Sequence, residues 1–327
     1  MILKLYRGHD RLTVIFIVLT GLLVWINPLI NHIEPRFIYD TDPMPLYRVF
    51  RDLFGKSLFI GTLVSFIVVI VTAFYLVNFN TRVFFINERT LLPAALFIIL
   101  SGYFTTLQTF SPVLISSFLV ILAVDRIIGS YRKQGIAYNF FDASLLVGTA
   151  SLFYFNAIWF YIVVVAGILL LRTVNLREII LSMAGLVTPY VFLIAGYYLA
   201  GADIHNLAGT IVHNITGQSP GFYWSTATII ISLINALLLI LSMVHLWSVF
   251  NTKKVRSRKT FTILLWLMIV AVAVYIFVPS ASVDVFYIFL LPVTYFLAHY
   301  MAYRGNKKMA NLMFAIIFIS VLILQLS

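Results

Sequence analysis

Long apolar runs separated by short polar connections are the dominant pattern along the chain. An α-helix needs about 20 predominantly apolar residues to cross a hydrocarbon core of roughly 30 Å. No connection is long and polar enough to form a soluble domain, so residues 1–327 are predicted to form a single integral membrane domain. The pattern predicts an all-α, polytopic transmembrane protein with about 11 spans, near residues 12–30, 57–77, 91–108, 112–125, 139–155, 157–171, 178–200, 225–249, 261–278, 284–302 and 309–326.

The third to sixth runs, within residues 91–171, are shorter than the others. A Ser111-Pro112 break and the polar Asn156 interrupt them, and the residue before a proline is steered away from helical backbone angles. These runs are predicted to form helical hairpins. Whether all of them cross the membrane fully is left open by the sequence.

Composition agrees with this pattern. The 327 residues are 62% hydrophobic and only 10% charged, with a mean hydropathy of +1.04. Soluble domains are about half apolar and about a quarter charged, so a soluble enzyme or carrier is excluded. The absence of cysteine also excludes disulfides and thiolate metal sites.

The net charge of +11 is explained by membrane topology rather than by nucleic-acid binding. If the N-terminus is cytoplasmic, 18 of the 22 Lys and Arg residues fall in cytoplasmic connections, as the positive-inside rule requires. The sequence therefore predicts a multi-pass membrane protein with a cytoplasmic N-terminus, a C-terminus on the outer side of the membrane and no nucleic-acid partner. The four exceptions all lie in the first external loop: Arg36, Arg48, Arg51 and Lys56.

That loop, residues 31–56, carries four acidic and four basic side chains between two apolar runs. Its Asp40-Thr41-Asp42 triplet is predicted to be extended, which would place both carboxylates on one side of the backbone. Two such carboxylates can hold a divalent cation such as Mg²⁺ or Mn²⁺, or shift each other's pKa so that one acts as a base. The alternative is a capping Asp followed by a solvated acid.

The second half of the loop is predicted to be an amphipathic helix lying in the membrane interface. Such a helix buries its apolar side in lipid and holds its cations at the level of the headgroups. The cations of this helix, Arg48, Arg51 and Lys56, together with Arg36, can bind a lipid-linked phosphate through paired donors. Alternatively, they can simply attract anionic lipids. The apolar stripe is Leu46, Val49, Phe50, Leu53 and Phe54, and the other face carries Arg48, Arg51, Asp52 and Lys56.

The remaining external connections carry fewer candidate groups. Residues 201–224 contain His205 and His213, which could be ligands, proton carriers or groups without a role. The same segment contains Asn214-Ile215-Thr216, which matches a glycosylation acceptor pattern. Residues 279–284 are short and carry one acid, Asp284.

The layout of residues 1–175 resembles that of the polytopic GT-C fold glycosyltransferases, which use polyprenyl-phosphate sugars as donors. That class carries a modified Asp-x-Asp in the first external loop, between the first span and an interfacial helix, and Asp40-Thr41-Asp42 matches it in place and type. The tract of residues 88–133, followed by residues 141–154, is similar to the paired short helices of the class. The whole chain also resembles an uncharacterised polytopic inner-membrane family of Bacteroidetes.

The resemblances imply an envelope glycosyltransferase at the outer face of the bacterial inner membrane, with a periplasmic C-terminus and with residues 176–327 as additional C-terminal spans. Its partners would be membrane lipid and a polyprenyl-phosphate-linked sugar, and its possible cofactor a divalent cation. The implied residues are, by role, Asp40, Asp42 and Glu34 as catalytic acids or bases, Arg36, Arg48, Arg51 and Lys56 as phosphate ligands, and His205 and His213 on the acceptor side.

Two other functions are alternatives to the enzyme. The chain is short for a GT-C protein and shows no soluble C-terminal domain and no second acidic motif. A non-catalytic component of an envelope or secretion assembly, docking a protein partner through the first loop, is therefore the main alternative. A transporter or lipid flippase would carry charged residues along its spans and an inverted repeat, and the sequence shows neither.

Overall fold

The computed structural model describes residues 2–8, 10–31, 37–55, 57–83, 86, 90–131, 138–171, 176–219, 221–303 and 307–326. These residues contain helices and connections but no β-strand, which confirms the all-α prediction. Short 3₁₀ turns lie at Thr105–Leu107, Phe155–Phe160, Phe250–Thr252 and Val283–Val285. The α-helices are α1 (Ile2–Arg7), α2 (Arg11–Ile30), α3 (Ile38–Thr41), α4 (Pro45–Phe54), α5 (Leu58–Val83), α6 (Leu92–Ser101), α7 (Pro112–Gly129), α8 (Tyr138–Phe153), α9 (Tyr161–Leu171), α10 (Leu176–Leu199), α11 (Ile204–Thr216), α12 (Thr226–Ser248), α13 (Val255–Phe277), α14 (Phe286–Tyr303) and α15 (Lys307–Leu326).

Eight of the described helices are long and apolar enough to cross a membrane, so the chain is a multi-pass membrane protein by helix length and hydropathy. They are α2, α5, α7, α10, α12, α13, α14 with the turn before it, and α15. The predicted count of about 11 spans is too high. Three of the predicted short runs form α6, α8 and α9, which have only 10, 16 and 11 residues. At 1.5 Å per residue, α6 covers about 15 Å, or about half of the hydrocarbon core.

The connection between α6 and α7, residues 102–111, passes through the protein interior. Tyr287 Oη donates a hydrogen bond to the Leu107 carbonyl at 2.9 Å, and Gln325 Nε2 donates to the Gly102 carbonyl at 2.5 Å. Non-helical backbone is tolerated at membrane depth only where protein groups satisfy its polar atoms in this way. Side chains from α14 and α15 therefore satisfy the non-helical backbone that follows α6.

Five connections meet at one end of the helical bundle, which we call the site end. Tyr47 Oη in the first loop donates to the Phe110 carbonyl at 3.1 Å, and Asn156 Nδ2 donates to Ser280 Oγ at 3.1 Å. These contacts join segments that are far apart in sequence. The connections that meet there are residues 37–55, 102–111, 154–160, 200–225 and 278–285.

The opposite end of the bundle is held together by charged groups. Arg82 of α5 pairs with Asp125 of α7, with 2.8 Å between Nη1 and Oδ2, and Tyr75 donates to the same carboxylate at 2.7 Å. Lys259 Nζ donates to the Leu170 carbonyl at 2.7 Å and ties α13 to α9.

Helix α10 is attached to the bundle mainly through a close seam with α8. A Cβ atom at Gly148 would lie 2.6 Å from the Leu186 carbonyl oxygen, and one at Gly185 would overlap the Phe141 carbonyl oxygen. Small residues of this kind allow two helix backbones in a membrane to approach closely. Most of the remaining surface of α10 is exposed. Because α10 leads into α11, the seam also positions the helix that reaches the site end.

Candidate functional site

Asp40 lies in the single helical turn α3, and not in extended backbone as predicted. Its Oδ2 accepts a hydrogen bond from the Phe37 amide at 2.9 Å, as the acid at the third helical position does in a capping box. Asp42 follows in a bend. The prediction that strand-like alternation places the two carboxylates side by side is therefore wrong, because residues 38–41 are helical.

The surroundings of Asp40 are aromatic and partly closed to water. Tyr39 and Tyr47 are buried beside it, with their ring centroids 5.7 Å apart. Arg51 Nη1 donates to the backbone carbonyl of Asp40 at 2.8 Å. Burial raises the pKa of Asp40 to about 6, against the opposing effects of the Phe37 amide and the Arg51 guanidinium. A carboxyl with this pKa exchanges its proton near neutral pH, which is what a general base requires.

Asp42 is held by α11, the helix of the second predicted external loop. Its Oδ2 lies 3.0 Å from His213 Nδ1, and its backbone carbonyl accepts a hydrogen bond from Asn214 Nδ2 at 2.9 Å. Of the two histidines predicted to shape the acceptor side, the structure thus brings His213 to Asp42. His205 lies near the start of α11, where its amide donates to Asp203 Oδ1 at 2.8 Å and its side chain is exposed.

Asn214 has a docking role that the glycosylation pattern did not suggest. It is buried, and it donates to the Thr210 carbonyl at 2.9 Å as well as to Asp42. Glycosylated asparagines lie on accessible surface, whereas this one lies between α11 and the first loop with both of its bonds made to backbone. The side chain therefore fixes α11 over the site.

Replacing Asn214 by alanine is expected to lower the free energy of unfolding by about 1–2 kcal/mol, because two hydrogen bonds are lost and each contributes about 1 kcal/mol net. Replacing His213 by alanine should cost less than about 1 kcal/mol, since its pair with Asp42 is exposed and screened. Thermal unfolding of the two purified variants in detergent measures the difference. A larger loss for His213→Ala than for Asn214→Ala would contradict the docking role of Asn214.

Helix α4 is present as predicted, but the side chains that it turns toward the bundle differ from the predicted apolar stripe. Tyr47 is buried against Phe110, and Phe50 packs edge-on against Phe153 with 5.2 Å between ring centroids. Val49 and Leu53 are exposed. The predicted single apolar stripe is split because Tyr47 can bury its ring while its hydroxyl reaches a backbone carbonyl, so the tyrosine side of the helix faces the bundle.

The two described cations of α4 also separate. Arg51 is half-buried and bonded to the Asp40 carbonyl, whereas Arg48 is exposed. The two cations lie three positions apart on the same helix but differ in their surroundings. Arg51 adds positive charge next to Asp40, and Arg48 is exposed at the surface of the first loop, where lipid headgroups or a partner could reach it.

Three predicted site residues, Glu34, Arg36 and Lys56, lie outside the described residues. Within the described part of the chain, no group of three or more His, Asp or Glu side chains could hold a metal ion. A Mg²⁺ or Mn²⁺ ion at Asp40 and Asp42 would need further oxygen ligands from Glu34, from the backbone or from a substrate phosphate. The metal stays a prediction.

Asp284 is an acid of the site end to which the sequence assigned no role. It is fully buried, and its Oδ1 accepts hydrogen bonds from Ser282 Oγ at 2.5 Å and the Val285 amide at 3.1 Å. Oδ2 has no hydrogen-bond partner within the described residues. Its charge acts on Tyr39, the residue before Asp40. The only sequence signal was its position as the single acid of a short connection.

No family model, curated protein or solved structure matches the chain. The resemblances to GT-C glycosyltransferases and to the Bacteroidetes family are therefore not supported by these comparisons. The established description is that of a helical, multi-pass membrane protein. Any finer function has to be argued from the residues of the site end.

Proposed function

We propose that this protein is a membrane glycosyltransferase-like enzyme, which transfers a sugar from a polyprenyl-phosphate donor at the outer face of the bacterial inner membrane during envelope glycan assembly. The observation that carries the proposal is the half-buried carboxyl of Asp40 next to Arg51, with a pKa raised to about 6 by burial. A base near neutrality beside a fixed cation suits the transfer of a sugar from a phosphate to a hydroxyl.

In the proposed reaction, the oxygen of the acceptor hydroxyl attacks the anomeric carbon of the donor sugar. The bond between that carbon and the phosphate oxygen breaks, and its electron pair leaves with the polyprenyl phosphate. The hydroxyl proton passes to the Asp40 carboxylate. Arg51 has donors beyond the one used on the Asp40 carbonyl, and these can stabilise the charge that grows on the leaving phosphate.

The direct test uses purified full-length protein in lipid vesicles with a radiolabelled polyprenyl-phosphate sugar. We expect the label to move to a sugar acceptor extracted from the envelope and the polyprenyl phosphate to be released in equal amount. The proposal would be contradicted if the protein released or transferred the labelled sugar no faster than protein-free vesicles do.

A non-catalytic role in an envelope or secretion assembly is the second candidate, and one feature favours it. Both acids of the first loop have structural partners: Asp40 caps α3, and Asp42 holds α11. In that role the exposed Arg48 would contact a protein partner. Replacing Arg48 and Arg51 by glutamate would then release a stoichiometric, co-purifying protein, and no lipid-linked sugar would be bound.

The proposed orientation places the site end outside the cell and can be tested by cysteine labelling, because the chain has no natural cysteine. Gln218 at the site end and Asn251 at the opposite end are both exposed. In intact spheroplasts, a membrane-impermeant maleimide should label the Gln218→Cys variant. It should label the Asn251→Cys variant only after permeabilisation. The reverse pattern would contradict the orientation.

A further inference from the structure

An apolar groove lies between α12 and α13, and α14 forms its floor. Its volume is about 270 Å³, slightly below the range of about 300–1,000 Å³ typical of small-molecule pockets. The wall from α12 includes Ala236 and Leu239, the wall from α13 includes Val272, and the floor includes Phe289 and Val293. All three helices are candidate membrane spans, so the groove opens onto the lipid-facing surface.

The length of the groove corresponds to one leaflet of a bilayer. Along α14 it runs from Phe286, next to the site end, to Leu297. From the first to the last of these 12 residues the helix rises about 16 Å, and half of a hydrocarbon core of roughly 30 Å is about 15 Å. A ligand in the groove would therefore extend from the headgroup level at the site end to the middle of the membrane.

The rim of the groove at the site end is aromatic. Phe104 packs edge-on against Trp224, with 6.1 Å between their ring centroids, and both residues line the groove. Tryptophan is enriched where lipid headgroups meet hydrocarbon. Its indole ring is apolar, and its N–H can serve a polar headgroup. The rim thus marks the depth at which the polar part of a lipid would begin.

Side chains with hydrogen-bonding groups are few in the groove, and most of these groups bond within the protein; Asn235 Oδ1 is buried and has no hydrogen-bond partner among the described residues. Tyr103 Oη donates to Ser232 Oγ at 3.0 Å, and Asn235 Nδ2 donates to Ser320 Oγ at 3.0 Å. The remaining lining consists of Leu, Val, Ala, Phe, Trp and Tyr side chains. A chain of methylene groups satisfies such a surface, whereas a sugar or a phosphate would lose its hydrogen bonds to water there without replacement.

We propose that this groove binds one acyl chain of a phospholipid from the leaflet at the site end. Depth, apolar lining and aromatic rim all agree with a single hydrocarbon chain whose headgroup lies at the site end. A helix of a second copy is disfavoured, because helices approach each other in membranes along small residues, and the floor of this groove is built from large ones such as Phe286 and Phe289. The proposal is independent of the proposed sugar transfer.

The test is native mass spectrometry of the full-length protein, stripped of lipid in detergent and then incubated with a phosphatidylethanolamine carrying C16 and C18 chains. The wild type is expected to retain one phospholipid per chain. The Ala236→Phe and Val272→Phe variants place an aromatic ring in the groove and should lower that occupancy by at least about fivefold, because the space for the acyl chain is filled. Leu237→Phe and Ile276→Phe are the matched controls, because both residues are exposed on the same helices and lie outside the groove.

Retention of lipid by the controls and its loss from the filled variants supports the proposal. Equal retention by all variants, equal loss from all of them, or no retention by the wild type would overturn it. So would a wild-type dimer that the groove substitutions convert to monomer without a change in bound lipid. Displacement of the phospholipid by an equimolar polyprenyl phosphate would assign the groove to that lipid instead and overturn the choice of a phospholipid. Because the probe carries no sugar, failure of the sugar-transfer assay has no effect on this result.

Discussion

Replacement of Asp40 by asparagine is expected to abolish sugar transfer and leave the fold intact. Asparagine can still accept the Phe37 amide hydrogen bond that caps α3, but it cannot take up the proton of the acceptor hydroxyl. Loss of a general base lowers the rate by about 10²–10⁴-fold. The measurement is transfer of labelled sugar from a polyprenyl-phosphate donor by purified protein in vesicles, across a range of pH.

Asp52→Asn is the matched control, because it removes an exposed acid from α4 in the same loop. This variant should keep wild-type activity. Wild-type activity should rise as the pH increases through about 6, the pKa to which burial raises Asp40, because only the carboxylate accepts a proton. If Asp40→Asn transfers sugar at the wild-type rate, Asp40 is not the base and the non-catalytic role is favoured.

Replacing Asp40 by asparagine should lower the activity of the protein but not its stability. A carboxyl whose pKa is raised in the folded state stabilises that state below its unfolded pKa of about 4 and loses this contribution as the pH rises through about 6. At pH 7 the wild type therefore bears the cost of an ionised, partly buried Asp40. The Asp40→Asn variant should unfold at an equal or higher temperature at pH 7, which identifies its inactivity as loss of chemistry rather than of structure.

The helical segments of this fold could be predicted from the sequence, but the number of spans could not. Every predicted apolar run contains a helix, because a stretch of apolar residues in a membrane must satisfy its backbone internally. The point at which α6 stops depends instead on Tyr287 and Gln325, which satisfy the carbonyls of Leu107 and Gly102 from 180 and 223 positions away in sequence. A one-dimensional pattern does not contain such partners.

The charged residues of the candidate site could be predicted from the sequence, but the residues that surround them and hold them in place could not. Charge pattern singled out Asp40, Asp42 and Arg51, and the structure places them at one end of the bundle with His213. The docking role of Asn214 was not recognised because the residue matches a glycosylation pattern by chance. Asp284 was given no role because it is a single acid in a short loop. The role of Asn214 arises from its contact with Asp42, 172 positions away. Asp284 bonds to its sequence neighbours, but its charge acts on Tyr39, which is remote in the sequence.

Replacement of Gly185 by alanine is the second substitution with a large expected effect. The new Cβ would overlap the Phe141 carbonyl oxygen of α8, and backbone cannot move aside as a flexible side chain does. Overpacking of this kind costs about 1–3 kcal/mol. We expect a lower unfolding temperature in detergent and, because α10 carries α11, a weaker contact between His213 and Asp42 with slower sugar transfer.

Gly196→Ala is the control within the same helix. No atom outside its own helix lies within 4 Å of a Cβ at Gly196, and alanine favours a helix over glycine by about 1 kcal/mol. This variant should unfold at the wild-type temperature or above it. Because the two substitutions add the same methyl group to α10, helix propensity alone predicts equal effects, and only the seam predicts a loss confined to Gly185. Equal stability of the two variants would mean that α10 is held by lipid rather than by α8, and the position of α11 over Asp42 would then need another support.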